Sequence, residues 1–128
     1  MTILIVEDNK ASARFIEIIL QKDGYQTVMA YDAAMALKIL ADRSGIQLII
    51  ADIVMPRVDG IELIEKIRQN PAWAIIPIIM CSALRDMETI KKALKSGCNY
   101  YMIKPIKKDA LLEKIREALN AESTCDGS

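Results

Sequence analysis

The sequence predicts an α/β domain: a three-layer, doubly wound sheet of five parallel strands wrapped by five helices. Three observations predict it. Short apolar runs alternate with helix-period segments along nearly the whole chain. Several runs, among them Ile3-Leu4-Ile5-Val6 and Leu48-Ile49-Ile50-Ala51, are continuously apolar, as strands covered on both faces are. Each strand-to-strand interval is long enough for a helical crossover, and such crossovers are right-handed. The length, 128 residues with 52% hydrophobic, suits one compact domain with its own core.

The first strand, Ile3 to Val6, ends in Glu7-Asp8-Asn9, with Asn9 as a helix cap. Phe15, Ile16, Ile19 and Leu20 mark one broad helical face, closed by Gly24. Gln26 to Ala30 reads as the second strand. Asp32 caps a helix with Ala36, Leu37 and Leu40 inward, ending near Gly45. Gln47 to Asp52 is the third strand. Pro56 cannot continue a strand ladder, and Asp59-Gly60 is turn chemistry. Leu63, Ile64 and Ile67 mark the third helix, stopped by Asn70-Pro71. Pro77 opens the fourth strand, Ile78 to Cys81, which ends in Ser82-Ala83. Asp86 caps the fourth helix, with Met87, Ile90 and Leu94 as its stripe and Gly97 as its stop. Asn99 to Ile103 is the fifth strand, ending in Lys104-Pro105. Leu111, Leu112, Ile115 and Leu119 line the last helix. The domain is expected over residues 1–120, and 121–128 read as a frayed polar tail or the start of a linker.

Lys+Arg and Asp+Glu both number 17, so the net charge of zero makes no case for nucleic acid or an anionic membrane. No apolar run approaches the ~20 residues of a membrane span, and Ile3 to Val6 is too short for a signal peptide. A cytoplasmic location follows as the expectation. Cys81, Cys98 and Cys125 form no CxxC, and the chain has no histidine, which argues against zinc and for reduced thiols.

In doubly wound sheets, ligands bind beyond the carboxyl ends of the strands. There the first strand delivers Glu7 and Asp8, the third Asp52, the fourth Ser82 and the fifth Lys104. Taken singly, such an Asp caps a helix, such a Ser sits in a turn and such a Lys is solvated. Their coincidence on one edge carries the weight. Two carboxylates ~4 Å apart repel by ~4 kcal/mol at an effective dielectric of about 20, so three would protonate or recruit a cation. With oxygen donors alone, Mg²⁺ is the natural choice. Asp52 can then act as a nucleophile toward phosphorus, with Lys104 balancing phosphoryl charge and the Ser82 hydroxyl donating to a phosphoryl oxygen.

These pieces, Glu7-Asp8-Asn9, Asp52 with Met55-Pro56 and Asp59-Gly60, Ser82-Ala83, and Gly97 through Tyr101 to Lys104-Pro105, stand in the order and at the spacing of a known family. Over residues 2 to about 120 the chain resembles the receiver domain of two-component response regulators, chemotaxis-regulator-like. The resemblance implies the flavodoxin-like strand order 2-1-3-4-5 and Asp52 as phosphoacceptor. It implies Asp8 as a direct Mg²⁺ ligand, Glu7 as a ligand through water and the Val54 main-chain carbonyl as a third protein ligand. It implies a cis Lys104-Pro105 bond, with Pro56, Asp59 and Gly60 shaping the loop that presents Val54. The phosphodonor would be a sensor histidine kinase or a histidine phosphotransfer protein. Ser82 and Tyr101 would be the switch, and the face of the fourth helix, fifth strand and fifth helix would address a downstream effector protein or domain. Tyr100 is expected on the opposite sheet face from Tyr101. Val54 and Leu84, each two residues past a site residue, are apolar and cannot hold an attacking water, so slow self-dephosphorylation is expected. Cys98, Asn99 and Tyr100 replace the small residue and two acids usual in the winged-helix transcription-factor subfamily, and with them the salt-bridge set of its dimer.

Two other functions use similar parts. An Mg²⁺-dependent phosphohydrolase with an Asp nucleophile needs a second Asp two residues on, where this chain has Val54. A flavodoxin-like binding module needs a phosphate loop after the first strand, where Glu7-Asp8 would repel the phosphate. The expectation is therefore a signalling phosphoacceptor and not an enzyme in the ordinary sense.

Overall fold

The computed structural model describes residues 2–55 and 59–127, with backbone alone from 121 onward. In chain order the elements are β1 (Thr2–Val6), α1 (Lys10–Lys22), β2 (Gln26–Ala30), α2 (Ala33–Asp42), β3 (Ile46–Ala51), α3 (Gly60–Gln69), β4 (Ile78–Ser82), α4 (Met87–Ser96), β5 (Tyr100–Ile103) and α5 (Lys108–Gly127). The strands form one sheet in the order β2-β1-β3-β4-β5, parallel throughout. The architecture is the three-layer doubly wound, flavodoxin-like fold expected from the sequence.

Two cores flank the sheet, and the pleat sorts residues between them. Leu4, Val6, Ile49, Ala51, Ile78 and Met80 point to the α2, α3 and α4 side. Ile3, Ile5, Leu48, Ile50, Ile79 and Cys81 point to α1 and α5. Tyr101 packs on the first side and Tyr100 on the second, as alternation along β5 requires. The helices start where side-chain caps satisfy orphan amides: Asn9, Asp32, Asp59 and Asp86 accept from the N–H groups of Ser12, Met35, Glu62 and Thr89. Gly97 ends α4 with φ +123°, a conformation that side chains resist.

Three expectations are corrected. Phe15 does not belong to the buried face of α1; it is 50% exposed, and Ala13 takes the inward place beside Ile16, Ile19 and Leu20. The Met87-Ile90-Leu94 stripe of α4 does not fill the core. Met87 and Leu94 are exposed and the one fully buried residue is Ala93, so the helix turns only a narrow strip inward. The last helix continues to Gly127, past the expected end near Leu119, since no Gly or Pro interrupts the chain from Ile106 to Asp126. By contrast α3 buries Ile61, Leu63, Ile64 and Ile67, each stabilising by about 1.5–3 kcal/mol.

Candidate functional site

The residues singled out from the sequence meet at the carboxyl edge of the sheet, each brought there by main-chain pairing. The Asp52 N–H donates to the Val6 carbonyl at 3.0 Å, which sets the end of β3 beside the end of β1. The Lys104 N–H donates to the Ser82 carbonyl at 2.8 Å, which sets the end of β5 beside that of β4. Gly60 closes the β3–α3 connection from the other side: its N–H donates to the Ile53 carbonyl at 2.8 Å. A Cβ there would lie 2.3 Å from the Asp52 carbonyl oxygen and 2.7 Å from Ile53 Cα, so the residue must be glycine. Asp59 is the cap of α3 and belongs to the turn. Pro56 lies outside the described residues. The Lys104–Pro105 peptide is cis.

The centre of the site is an ion cluster. The Lys104 ammonium donates to Glu7 Oε1 and, at 2.9 Å, to Asp52 Oδ2. Both carboxylates are buried, Glu7 at 2% and Asp52 at 8% exposure. Their remaining oxygens are satisfied locally. Asp52 Oδ1 accepts from the Val54 N–H at 3.2 Å, and Glu7 Oε2 accepts from the Asn9 N–H at 3.1 Å. Burial pushes the Glu7 carboxyl above its ordinary value, against the pull of its bonds from Lys104 and the Asn9 amide. Burial disfavours the Lys104 charge as well, but its bonds to Glu7 and Asp52 outweigh that and hold its pKa above 10.5.

Asp8 is exposed at the rim. The acids therefore share an edge without forming a ready ligand cage: among the described residues no group of three His, Cys, Asp or Glu stands close enough to hold a metal. What does stand together is a pair of buried carboxylates sharing one ammonium, which leaves one negative charge uncompensated. That donor chemistry fits a hard cation. Ser82 is fully buried and its Oγ accepts from the Leu84 N–H at 3.2 Å. Tyr101, half-buried, donates its hydroxyl to the Leu84 carbonyl at 2.6 Å, so the same short loop is tied to Ser82 from one side and to Tyr101 from the other. Burial pushes the Tyr101 phenol upward.

Two features lay outside the sequence reading. The first is a groove of about 600 Å³ beside the cluster, lined by Ala11, Phe15, Ile16, Ala83, Lys104 and Pro105. Phe15, expected on the core face, is instead half exposed on its wall and gave no sign of it in the sequence. The second is Arg68, at the other end of the sheet, which donates to Gly97 O, Trp73 O, Ala74 O, Ile76 O and Asn99 Oδ1. A concavity of about 1120 Å³ also lies at that amino edge; Trp73, Ile76 and Leu119 line it, and Glu7, Asp8, Asp52, Ser82 and Lys104 do not.

Comparison with known proteins agrees with the geometry. The chain is 31% identical over 124 residues to a chemotaxis protein CheY homolog of Campylobacter jejuni, covering 96% of this chain and 95% of that protein. It is 39% identical over 115 residues to the transcriptional regulatory protein KdpE of Staphylococcus aureus and 35% over 114 residues to the sensor kinase/phosphatase CqsS of Vibrio cholerae. It spans 48% of the former and 16% of the latter. A CheY-like receiver domain protein of Methanospirillum hungatei superposes with a TM-score of 0.88 at 30% identity, covering 96% of both chains. The family described as the response regulator receiver domain matches residues 3–116, nearly the whole folded length, and this chain belongs to it.

Proposed function

We propose that Asp52 accepts a phosphoryl group from the phosphohistidine of a sensor histidine kinase or a histidine phosphotransfer protein. The observation that carries this is the Lys104 ammonium, 2.9 Å from one oxygen of a nearly fully buried Asp52 at the carboxyl edge of the sheet. A carboxylate oxygen of Asp52 attacks phosphorus, the P–N bond breaks and the imidazole leaves with the bonding pair. The charge that develops on the equatorial oxygens lies within reach of Lys104, and the buried Ser82 hydroxyl turns its proton toward it. The groove floored by Phe15 and Pro105 opens beside Lys104 and supports docking of the donor there.

Glu7, Asp8, Asp52 and the Val54 carbonyl are the residues that would hold Mg²⁺. Bound there, the ion would supply the positive charge that one lysine, shared between two carboxylates, does not. This chain's own part is to fix the acceptor: the Val54 N–H orients one Asp52 oxygen, and Lys104 orients the other. Phosphorylation adds about −1.5 to −2 of charge at pH 7. The loop from Ser82 to Leu84 then carries the change to Tyr101 and to the α4–β5–α5 face, which addresses an effector protein or domain. On this reading the chain is a switch that promotes its own phosphorylation and dephosphorylation, working in the cytoplasm without touching nucleic acid or membrane. No described helix is long and apolar enough to cross a membrane.

Incubation with acetyl phosphate and Mg²⁺ tests the proposal. One acid-labile phosphate per chain is expected on the wild type and none on Asp52→Asn. Phosphate retained by Asp52→Asn, or continuous phosphoester turnover without a stable adduct, would overturn it.

A further inference from the structure

We infer that Arg68 is a positioning residue that pins the carboxyl end of α4 and makes it the pivot about which the amino end moves. The inference rests on the switching role proposed above, and its geometry lies at the opposite edge of the sheet.

The two ends of α4 are held very differently. At the carboxyl end the Arg68 guanidinium, from the last turn of α3, reaches two connections at once. Its Nε donates to the Gly97 carbonyl at 2.9 Å. One terminal nitrogen donates to the Ala74 and Ile76 carbonyls at 2.9 and 2.7 Å, in the α3–β4 connection. The other donates to Asn99 Oδ1 at 3.0 Å. That same Asn99 oxygen accepts from the Ile78 N–H at 2.8 Å, and the Asn99 N–H returns a bond to the Ile78 carbonyl at 2.8 Å. The α4–β5 turn is thus riveted to the start of β4. Space confirms how close the fit is: a Cβ on Gly97 would come within 2.7 Å of Arg68 Cγ. Cys98, next in the chain, is buried.

At the amino end nothing comparable exists among the described residues. Ala83 through Glu88 are exposed. The Asp86 cap acts within the helix itself, and the loop before it is tied by the Ser82 and Tyr101 bonds to Leu84. Between the ends, Ala93 is the sole fully buried residue of the helix, and it lies in the carboxyl half. A ten-residue helix fixed at one end and thinly packed along its length responds to a pull at the other end by swinging. Leu84, one residue from the loop's exposed tip, is where that pull would be applied. Met87 sweeps the wide arc and Leu94 the narrow one. The planar fork of an arginine suits this task, since it holds several carbonyls in fixed directions, which a lysine cannot do.

Residue-resolved amide hydrogen exchange on the whole chain tests this in the wild type, Arg68→Met and Arg68→Lys. The reporters are the N–H groups of Gly97, Cys98, Asn99 and Ile78 at the clasp and of Ile90 at the free end. In the wild type the clasp amides should exchange more slowly than Ile90. In Arg68→Met they should accelerate by about tenfold or more, with Asp52 and Glu7 amides unchanged as the control for folding. Arg68→Lys should fall between, and it carries the test where Arg68→Met does not fold. Beryllofluoride with Mg²⁺, a phosphoryl mimic, should then alter wild-type exchange over residues 84–90 and leave the clasp alone, whereas in the variants the change should reach Asn99. Equal rates at both ends of wild-type α4, a clasp that responds to beryllofluoride as strongly as Ile90, or no acceleration in either variant would overturn the inference. The ¹⁹F signal of bound beryllofluoride separates the two ideas. If it is absent, the Asp52 reading fails, and the clasp stands or falls on the resting exchange rates.

Discussion

Lys104 and Arg68 sit at opposite edges of one sheet and are bonded in opposite ways. Lys104 is shared by two buried carboxylates, Glu7 and Asp52. Arg68 bonds neutral oxygens from the α3–β4 and α4–β5 connections. An ammonium between two acids holds by charge, so another cation can take its carboxylates and a phosphoryl group can take the ammonium. A guanidinium forked among carbonyls holds by direction, and no change of charge at the far edge releases it. The working edge is thereby exchangeable and the supporting edge permanent.

Breaking the working edge should have the largest effect. Lys104→Met leaves Glu7 and Asp52 buried against each other without a counterion, which costs several kcal/mol where burial is complete. Lys104 keeps about a fifth of its side chain exposed, so a loss of about 2–3 kcal/mol in urea denaturation is expected. Because a divalent cation supplies the missing charge, Mg²⁺ should raise the stability of Lys104→Met more than that of the wild type. Equal gains would show that the cation does not replace the ammonium.

Disturbing the supporting edge through its glycine comes next. Gly97→Ala meets both the positive φ and the Arg68 side chain, and should cost about 1–2 kcal/mol by the same assay. A neutral result would mean that the clasp yields easily.

The alkaline limb gives a smaller, graded effect. Burial pushes the Cys81 thiol up to about 12 and the Cys98 thiol up to about 11, from an ordinary value of 9.0. Lys104 is likewise held above its ordinary 10.5. For all three the folded state binds protons more tightly than the unfolded one. The contribution of the two thiols is complete below about pH 9 and is lost as the pH rises through 11 to 12, and that of Lys104 is lost as the pH rises through its raised folded value. Stability should therefore fall steadily above about pH 9, and Cys81→Ala should flatten the early part of that decline. A flat profile for the wild type over this range would contradict the burial of the thiols.

The smallest effect is expected at Trp73, in the α3–β4 connection at the amino edge, where its carbonyl accepts from Arg68. Its fluorescence should hardly change on adding Mg²⁺, while it reports global unfolding fully. Strong quenching by Mg²⁺ would mean that the two edges are coupled in the resting protein.

The legible parts of this molecule are those that neighbours in sequence dictate. Continuous apolar runs announced the strands, and Asn9, Asp32 and Asp86 announced three helix starts, while Asp59, read as a turn residue, caps a fourth. Glu7, Asp8, Asp52, Ser82 and Lys104 were legible as a set because parallel strands must deliver their last residues to one edge. What was not legible depends on distance in the chain or on which way a stripe faces. Met87, Ile90 and Leu94 have the spacing of a buried helix face, and that spacing is the same when the face meets solvent. Phe15 misled in the same way. Lys104 was expected to balance phosphoryl charge, and its bond to Glu7, across 97 residues of sequence, had no local sign. Arg68 near a helix end looks like any solvated cation until the α3–β4 and α4–β5 connections fold onto it.

Gly60 sets a limit on how this protein can vary. The main chain of α3 begins in contact with the main chain that follows β3, with no room for even one added carbon. Asp52, the proposed acceptor, is therefore located by backbone against backbone, a contact that no choice of side chains can loosen or tune. A library randomised at position 60 should return glycine alone from any selection for the folded domain. The same library at Val54, 57% exposed two residues past the acceptor, should return many answers. Chemistry at this site can diversify around a carboxylate whose address is fixed.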